Sequence, residues 1–191
     1  MSRPAAIVIG ASAGGVEALL KVLGALPGDF RLPVLIVLHL PDERHSDLAE
    51  VFARRLQRPV KEAQDKESIA GGMLYFAGPG YHLSVEQDRS LSLSLEDRVN
   101  FSRPAIDILF ESAADAYGPA LIGVLLTGAN EDGAKGLARI KDCGGLTVVQ
   151  DPAEARVTVM PRAAIKLHTP DYILTLNGIG HLLADLDKRP C

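Results

Sequence analysis

The chain has 191 residues, of which 47% are apolar, 23% charged and only 5% aromatic, and its formal net charge is −4. That length and composition suit one domain, residues 1–191, with an aliphatic interior. Acidic and basic residues are interspersed without a long basic block, and no apolar run is long enough to span a bilayer, so nucleic acid and the membrane are excluded as main partners.

The N-terminus shows no secretory leader pattern. The two cysteines, Cys143 and Cys191, form neither a disulfide framework nor a metal motif, so a reducing cytoplasm is the expected location. The apolar run Ala5-Ala6-Ile7-Val8-Ile9 ends in Gly10-Ala11-Ser12-Ala13-Gly14-Gly15. Helical spacing of Val16, Leu19, Leu20 and Leu23 follows. This reads as buried strand, tight turn and helix, with Ser12 on the turn beside the free N–H groups of the helix start. A serine there is an anion contact or a nucleophile. The letters fit the G-x-S-x-G nucleophile elbow and nearly fit a dinucleotide-binding glycine loop. The plainer reading is a glycine turn that only packs strand against helix.

Pro27-Gly28-Asp29 marks a turn, and Leu32–Leu38 is a second buried strand. It ends at His39-Leu40-Pro41, which puts His39 at the carboxyl end of a strand parallel to the first, on the edge where open α/β sheets place ligands. A lone histidine there is otherwise a strand-end residue bonded to backbone. A helix follows within 42–58, with Ser46 as its expected cap and Leu48, Val51, Phe52 and Leu56 as its apolar stripe. Val60–Ala63 is a short strand.

From Ile69 to Leu95 glycine-rich turns separate Met73–Ala77, His82–Val85 and Leu91–Leu95, which read as a small antiparallel element beside the site. His82 is weighed as a loop residue ahead of a substrate contact. Asn100-Phe101-Ser102-Arg103-Pro104 turns into a helix with Ile106, Leu109, Phe110, Ala113 and Tyr117 inward. Ser102 is the expected cap, and Arg103 is either surface charge or a mouth residue that attracts an acidic partner. Ala120–Thr127 is a third buried strand, running into Gly128-Ala129-Asn130-Glu131-Asp132-Gly133 and a helix. Asp132 is a helix cap in the plain reading and the orienting carboxylate of a triad in the functional one. Leu146–Gln150 is a fourth strand, Arg162–Lys166 a short helix, Asp171–Thr175 an edge strand and Gly178–Asp187 a closing helix. The expected fold is therefore α/β: a doubly wound, mostly parallel sheet with helices on both faces and a small antiparallel element.

Ser12, His39 and Asp132 all fall at carboxyl ends of apolar strands. A serine hydroxyl needs a base within hydrogen-bond reach, the base needs an orienting carboxylate, and acyl transfer needs oxyanion donors. The backbone N–H groups of Ala13, Gly14 and Ala129 are candidates for the last role. Three other readings compete: a small-molecule α/β-hydrolase using Asp132 with His168 or His181, a nucleotide-binding module, and a non-catalytic adaptor. The first normally carries its serine later in the chain, and the second wants an acidic residue where His39 stands.

Five segments in order resemble the catalytic domain of the CheB-type chemotaxis protein-glutamate methylesterases: Ile9–Gly15, His39 followed by Pro41, Arg103-Pro104-Ala105-Ile106-Asp107, Leu126–Ala134, and Met160-Pro161-Arg162-Ala163-Ala164. The resemblance covers roughly residues 5 to 186. It implies an α/β domain with a Ser-His-Asp triad, carried here by Ser12, His39 and Asp132. It also implies hydrolysis of glutamate γ-methyl esters on cytoplasmic chemoreceptor helices, deamidation of receptor glutamines by the same chemistry, and no metal or organic cofactor. The family's familiar form carries an N-terminal receiver domain that this sequence lacks, so either the chain acts as a stand-alone catalytic domain, the expected case, or the sequence begins after the linker; a separate receiver or methyltransferase protein is the expected further partner. Two local departures are Gly128-Ala129-Asn130-Glu131-Asp132, where relatives read Gly-Met-Gly-Asn-Asp, and Ser102, where many have histidine.

Overall fold

The computed structural model describes residues 3–39 and 47–188. In chain order its elements are β1 (Ala6–Ala11), α1 (Gly15–Gly24), β2 (Val34–Leu38), α2 (Leu48–Leu56), β3 (Val60–Glu62), β4 (Leu74–Phe76), β5 (His82–Val85), β6 (Leu91–Ser94), α3 (Ile106–Tyr117), β7 (Leu121–Leu125), α4 (Ala134–Asp142), β8 (Leu146–Gln150), α5 (Val159–Leu167), β9 (Tyr172–Leu174) and α6 (Leu176–Asp187). A sheet of seven strands runs β3-β4-β2-β1-β7-β8-β9, and every pairing in it is parallel. The strands β5 and β6 form a separate antiparallel hairpin.

The central strands read as continuous apolar runs because both of their faces are covered. From β1, Ile7 and Ile9 pack with Leu19 and Leu23 of α1, Phe52 of α2, and Ile179 and Leu183 of α6. Ala6 and Val8 face the other way, toward Leu109 and Phe110 of α3, Leu137 and Ile140 of α4, and Met160 of α5. Strand order changes direction at β1: the chain moves to β2 on one side and later returns to β7 on the other. Such a switch point opens a crevice beyond the strands' carboxyl ends.

The doubly wound architecture is the expected one, and three local readings change. The run Met73–Ala77 does not belong to the antiparallel element: its core, β4, is inserted between β3 and β2 in the parallel sheet. Leu74, Tyr75 and Phe76 are all buried, as a strand covered on both faces requires. Helix α5 begins at Val159, earlier than expected, because Pro161 sits in the first turn, where its missing N–H costs nothing. Helix α6 begins at Leu176, capped by Thr175 Oγ1, which accepts from Gly178 N at 3.2 Å. The expected cap Ser46 lies outside the described residues.

Candidate active site

The three sequence-flagged residues follow three adjacent strands. Ser12 follows β1, His39 follows β2, and Asp132 lies between β7 and α4. The ladder carries on just past the strand ends: Ser12 N donates to Thr127 O at 2.9 Å and His39 N donates to Ala11 O at 3.0 Å. The backbone itself therefore sets the height of both residues on the sheet edge.

The turn that presents Ser12 depends on Gly14. Its φ is +81°, and a Cβ there would lie 2.9 Å from Arg156 Cβ. Only glycine meets both conditions without strain. The turn is pinned from behind by Thr127, whose Oγ1 donates to Ala13 O at 2.8 Å and accepts from Val157 N at 2.9 Å. The buried Gln150 holds Thr127 in turn, accepting from its backbone N at 2.8 Å.

Asp132 is fully buried. Its Oδ2 lies 2.9 Å from His39 Nε2 and accepts from Ile106 N at 2.7 Å. Its Oδ1 accepts from Asp107 N at 3.1 Å and from Asn100 Nδ2 at 3.2 Å. Burial would raise the carboxyl pKa, but the His39 contact and the two N–H groups at the start of α3 outweigh it, and the pKa lies below the ordinary carboxylate value. A buried carboxylate is sustained there because it is both paired and hydrogen-bonded. His39 is 11% exposed. Its Nδ1 is buried without a protein partner. Nε2 lies against the Asp132 carboxylate, while Nδ1 makes no hydrogen bond to Ser12 or to any other described group.

Ser12 and His39 line one open cleft of about 470 Å³, together with Gly14, Ser102, Asn130 and Arg156. Among the described residues the N–H groups of Ala13, Gly14 and Ala129 donate to no protein acceptor. Ala13 and Gly14 lie at the start of α1, where the unpaired amides and the helix dipole favour negative charge. The arrangement places a serine hydroxyl, an imidazole beside a buried carboxylate and unpaired backbone N–H groups along one edge of the sheet.

The competing histidines lie elsewhere. His168 ends α5, and the charged groups that act on it are Lys141, Asp171 and Asp142; burial lowers its pKa. Asp171 bonds Thr147 near the start of β8, so this group sits at the amino edge of the sheet, away from Ser12. His181 is exposed on α6. His82 is buried: its Nδ1 accepts from Ala105 N at 3.2 Å, and its Nε2 lies 3.0 Å from Asp97 O. It is thus not a loop residue but the buried first residue of β5, where it ties the segment at Asp97 to the start of α3. Ser102 does not cap α3; Asp132 takes that place from a distant segment. Arg103 turns its guanidinium onto Leu95 O and Glu96 O, both at 3.0 Å, so it fastens a loop and does not line the cleft. Among the described residues no group of three or more His, Cys, Asp or Glu side chains is disposed to hold a metal ion. No described helix is long and apolar enough to cross a membrane.

Two residues take a role at the site that the sequence alone does not assign them. Asp107 is buried and accepts from Gly133 N at 2.9 Å and Gly136 N at 2.8 Å. Burial raises its pKa to about 6; the Gly136 N–H opposes this, and the charges of Asp132 and Glu111 add to it. Asn100 joins the two carboxylates, its Nδ2 lying 3.1 Å from Asp107 Oδ2 and 3.2 Å from Asp132 Oδ1. An acidic residue near a helix start and an asparagine in a turn are common surface features, and only the tertiary fold brings these two together.

Comparison with known proteins supplies the family. The CheB methylesterase family model matches residues 7–183. A protein of Leptospira interrogans, provisionally named protein-glutamate methylesterase/protein-glutamine glutaminase, is 48% identical over 184 residues, covering 96% of this chain and 95% of its own length. The protein-glutamate methylesterase/protein-glutamine glutaminase 2 of Anaeromyxobacter dehalogenans is 40% identical over 98% of this chain, which spans 54% of that longer protein. The crystal structure of the Thermotoga maritima CheB methylesterase catalytic domain superposes with a TM-score of 0.90 at 33% identity, covering 97% of this chain and 100% of that one. The chain belongs to the CheB methylesterase family.

Proposed function

We propose that this protein hydrolyses glutamate γ-methyl esters on the cytoplasmic helices of chemoreceptors, with Ser12 as nucleophile, His39 as general base and acid, and Asp132 as the residue that orients His39. The observation that carries this reading is the shared cleft of Ser12 and His39, with His39 Nε2 2.9 Å from the buried Asp132 carboxylate.

His39 Nδ1 takes the Ser12 proton as Oγ attacks the ester carbonyl carbon. The resulting oxyanion is held by N–H groups of Ala13, Gly14 or Ala129. Asp132 stabilises the imidazolium that forms and fixes its orientation. Collapse breaks the bond to the methoxy oxygen, which takes the proton from His39 and leaves as methanol. Water then attacks the acyl-enzyme, giving its proton to His39, and glutamate is released as Ser12 recovers its hydrogen. The same steps on a glutamine side chain release ammonia in place of methanol. Because the substrate helices are cytoplasmic, this reading also puts the enzyme in the cytoplasm.

The test is methanol release from methylated receptor cytoplasmic fragments, with the demethylated glutamates mapped by mass spectrometry. Release at defined glutamates is expected. Folded protein that releases no methanol from fully methylated fragments would remove the reading.

A further inference from the structure

Among the described residues several large apolar side chains stand outside both cores, and Phe101 stands out furthest. Phe101 is 95% exposed, the most exposed large apolar residue among those described. Its backbone is held in the left-handed region at φ 64°, directly after Asn100 at φ 49°. Two consecutive non-glycine residues in this region are unfavourable, and such strain persists only where the surroundings enforce it.

The surroundings do enforce it. Asn100 is anchored inward by its side-chain amide on Asp107 and Asp132. Val99 and Ser102 close the turn with two backbone bonds, Val99 N to Ser102 O at 3.1 Å and Ser102 N to Val99 O at 2.8 Å. Arg103 and His82 fasten the preceding loop through the carbonyls of Leu95, Glu96 and Asp97. The segment is thus prebuilt, with its polar groups turned inward and a phenyl ring turned out.

Its place is equally specific. Ser102 lines the cleft of Ser12 and His39, while Asn100 lines an adjoining pocket with Asp107, Lys135, Val159 and Arg162. Phe101 therefore stands on the rim between the two. A substrate helix is about 10–12 Å across, wide enough to lie over this rim while it delivers a side-chain ester into the cleft.

We propose that Phe101 is a substrate-docking residue that packs against apolar positions of the receptor helix about one turn from the methylated glutamate. This rests on the methylesterase reading above. A rigid aromatic loses little conformational freedom on binding, and the fastened loop lowers the ordering cost further. The contact is made to the helix and not to the ester, so it governs capture of the protein substrate more than the chemical step.

The test compares wild type, Phe101→Ala and Phe101→Leu on two substrates: a methylated receptor cytoplasmic fragment and p-nitrophenyl acetate. For the fragment, Phe101→Ala should raise KM about tenfold with kcat within about twofold, as truncating an aromatic anchor does. Phe101→Leu should recover most of that loss. For p-nitrophenyl acetate, kcat/KM should differ by less than about twofold, because no helix crosses the rim. An unchanged KM for the fragment would overturn the proposal. So would an equal loss on both substrates, which would make Phe101 a support of the cleft. Wild type that hydrolyses p-nitrophenyl acetate but releases no methanol from the fragment would overturn the methylesterase reading, and the docking role with it. Methanol release that is the same in wild type and Phe101→Ala would overturn the docking role alone.

Discussion

Asp132 accepts the first two N–H groups of α3, from Ile106 and Asp107, while Asp107 accepts two N–H groups at the start of α4, from Gly133 and Gly136. Asp132 thus caps the helix that holds Asp107, and Asp107 caps the helix that follows Asp132. The exchange locks α3 to α4 and fixes the Asp132 carboxylate toward His39. Gly133 makes the close approach feasible: its φ is +92°, and a Cβ there would lie 2.6 Å from Ile106 Cγ2.

Asp132 then carries two separable duties. Asp132→Asn keeps the shape and one acceptor oxygen but loses the charge opposite His39. Its kcat for methanol release should fall by roughly 10³–10⁴-fold, the scale seen when a triad carboxylate becomes an amide. Asp132→Ala should fall as far and also lose about 1–3 kcal/mol of stability, because buried N–H groups of Ile106 and Asp107 lose their acceptor. Kinetics with denaturant unfolding separates the two, and near-normal kcat in folded Asp132→Asn contradicts the triad role.

Asp107 gives stability an unusual pH dependence. Its carboxyl is raised to about 6 in the native protein, against 3.8 ordinarily. Between about pH 4 and pH 6 the unfolded chain releases this proton while the native chain keeps it, so the Asp107 contribution to stability falls as pH rises through that window and then levels. Asp132 has the opposite sign: its lowered pKa adds stability that is present above the ordinary carboxylate value and lost as pH falls through its lower native value. Asp107→Asn should remove the decline between about pH 4 and pH 6, roughly 1–3 kcal/mol. Urea unfolding across this range measures it, and an identical slope in wild type and variant refutes the assignment.

Gly14→Ala should harm both folding and turnover. The new Cβ meets a left-handed backbone and the Arg156 side chain, and a strained residue of this kind costs about 1–3 kcal/mol. The turn that presents Ser12 has to shift to relieve it, so kcat should fall alongside the unfolding midpoint. A stable variant with unaltered kcat would show that the turn geometry is not needed.

The histidines discriminate the triad from its hydrolase alternative. His168→Ala and His181→Ala should keep the wild-type rate within about twofold, since neither lies at the carboxyl edge of the sheet. Loss of methanol release in either folded variant would reopen the alternative pairing.

Much of this was legible in the chain. The runs at Ile7, Leu35 and Val124 announce buried parallel strands, and the residues that end them, Ser12, His39 and Asp132, announce a site at one sheet edge. Local signals misled where tertiary contacts took over. Ser102 has the side chain of a helix cap, yet Asp132 outcompetes it from a segment about thirty residues away. Glycine-rich turns around Met73–Ala77 suggest part of a small antiparallel element, but burial on both faces goes with a place for Leu74–Phe76 in the main parallel sheet. Asn100 carries no motif, and Asp107, though it ends one of the family-like segments, shows its role only once α3 and α4 are packed.

The most direct measurement is the rate of methanol release from a methylated receptor fragment by wild type, Ser12→Ala and His39→Ala, each shown to be folded by its unfolding transition. Both variants should lose at least about 10³-fold in kcat, since nucleophile and base act as a unit. A Ser12→Ala or His39→Ala protein that releases methanol at the wild-type rate would contradict the mechanism outright.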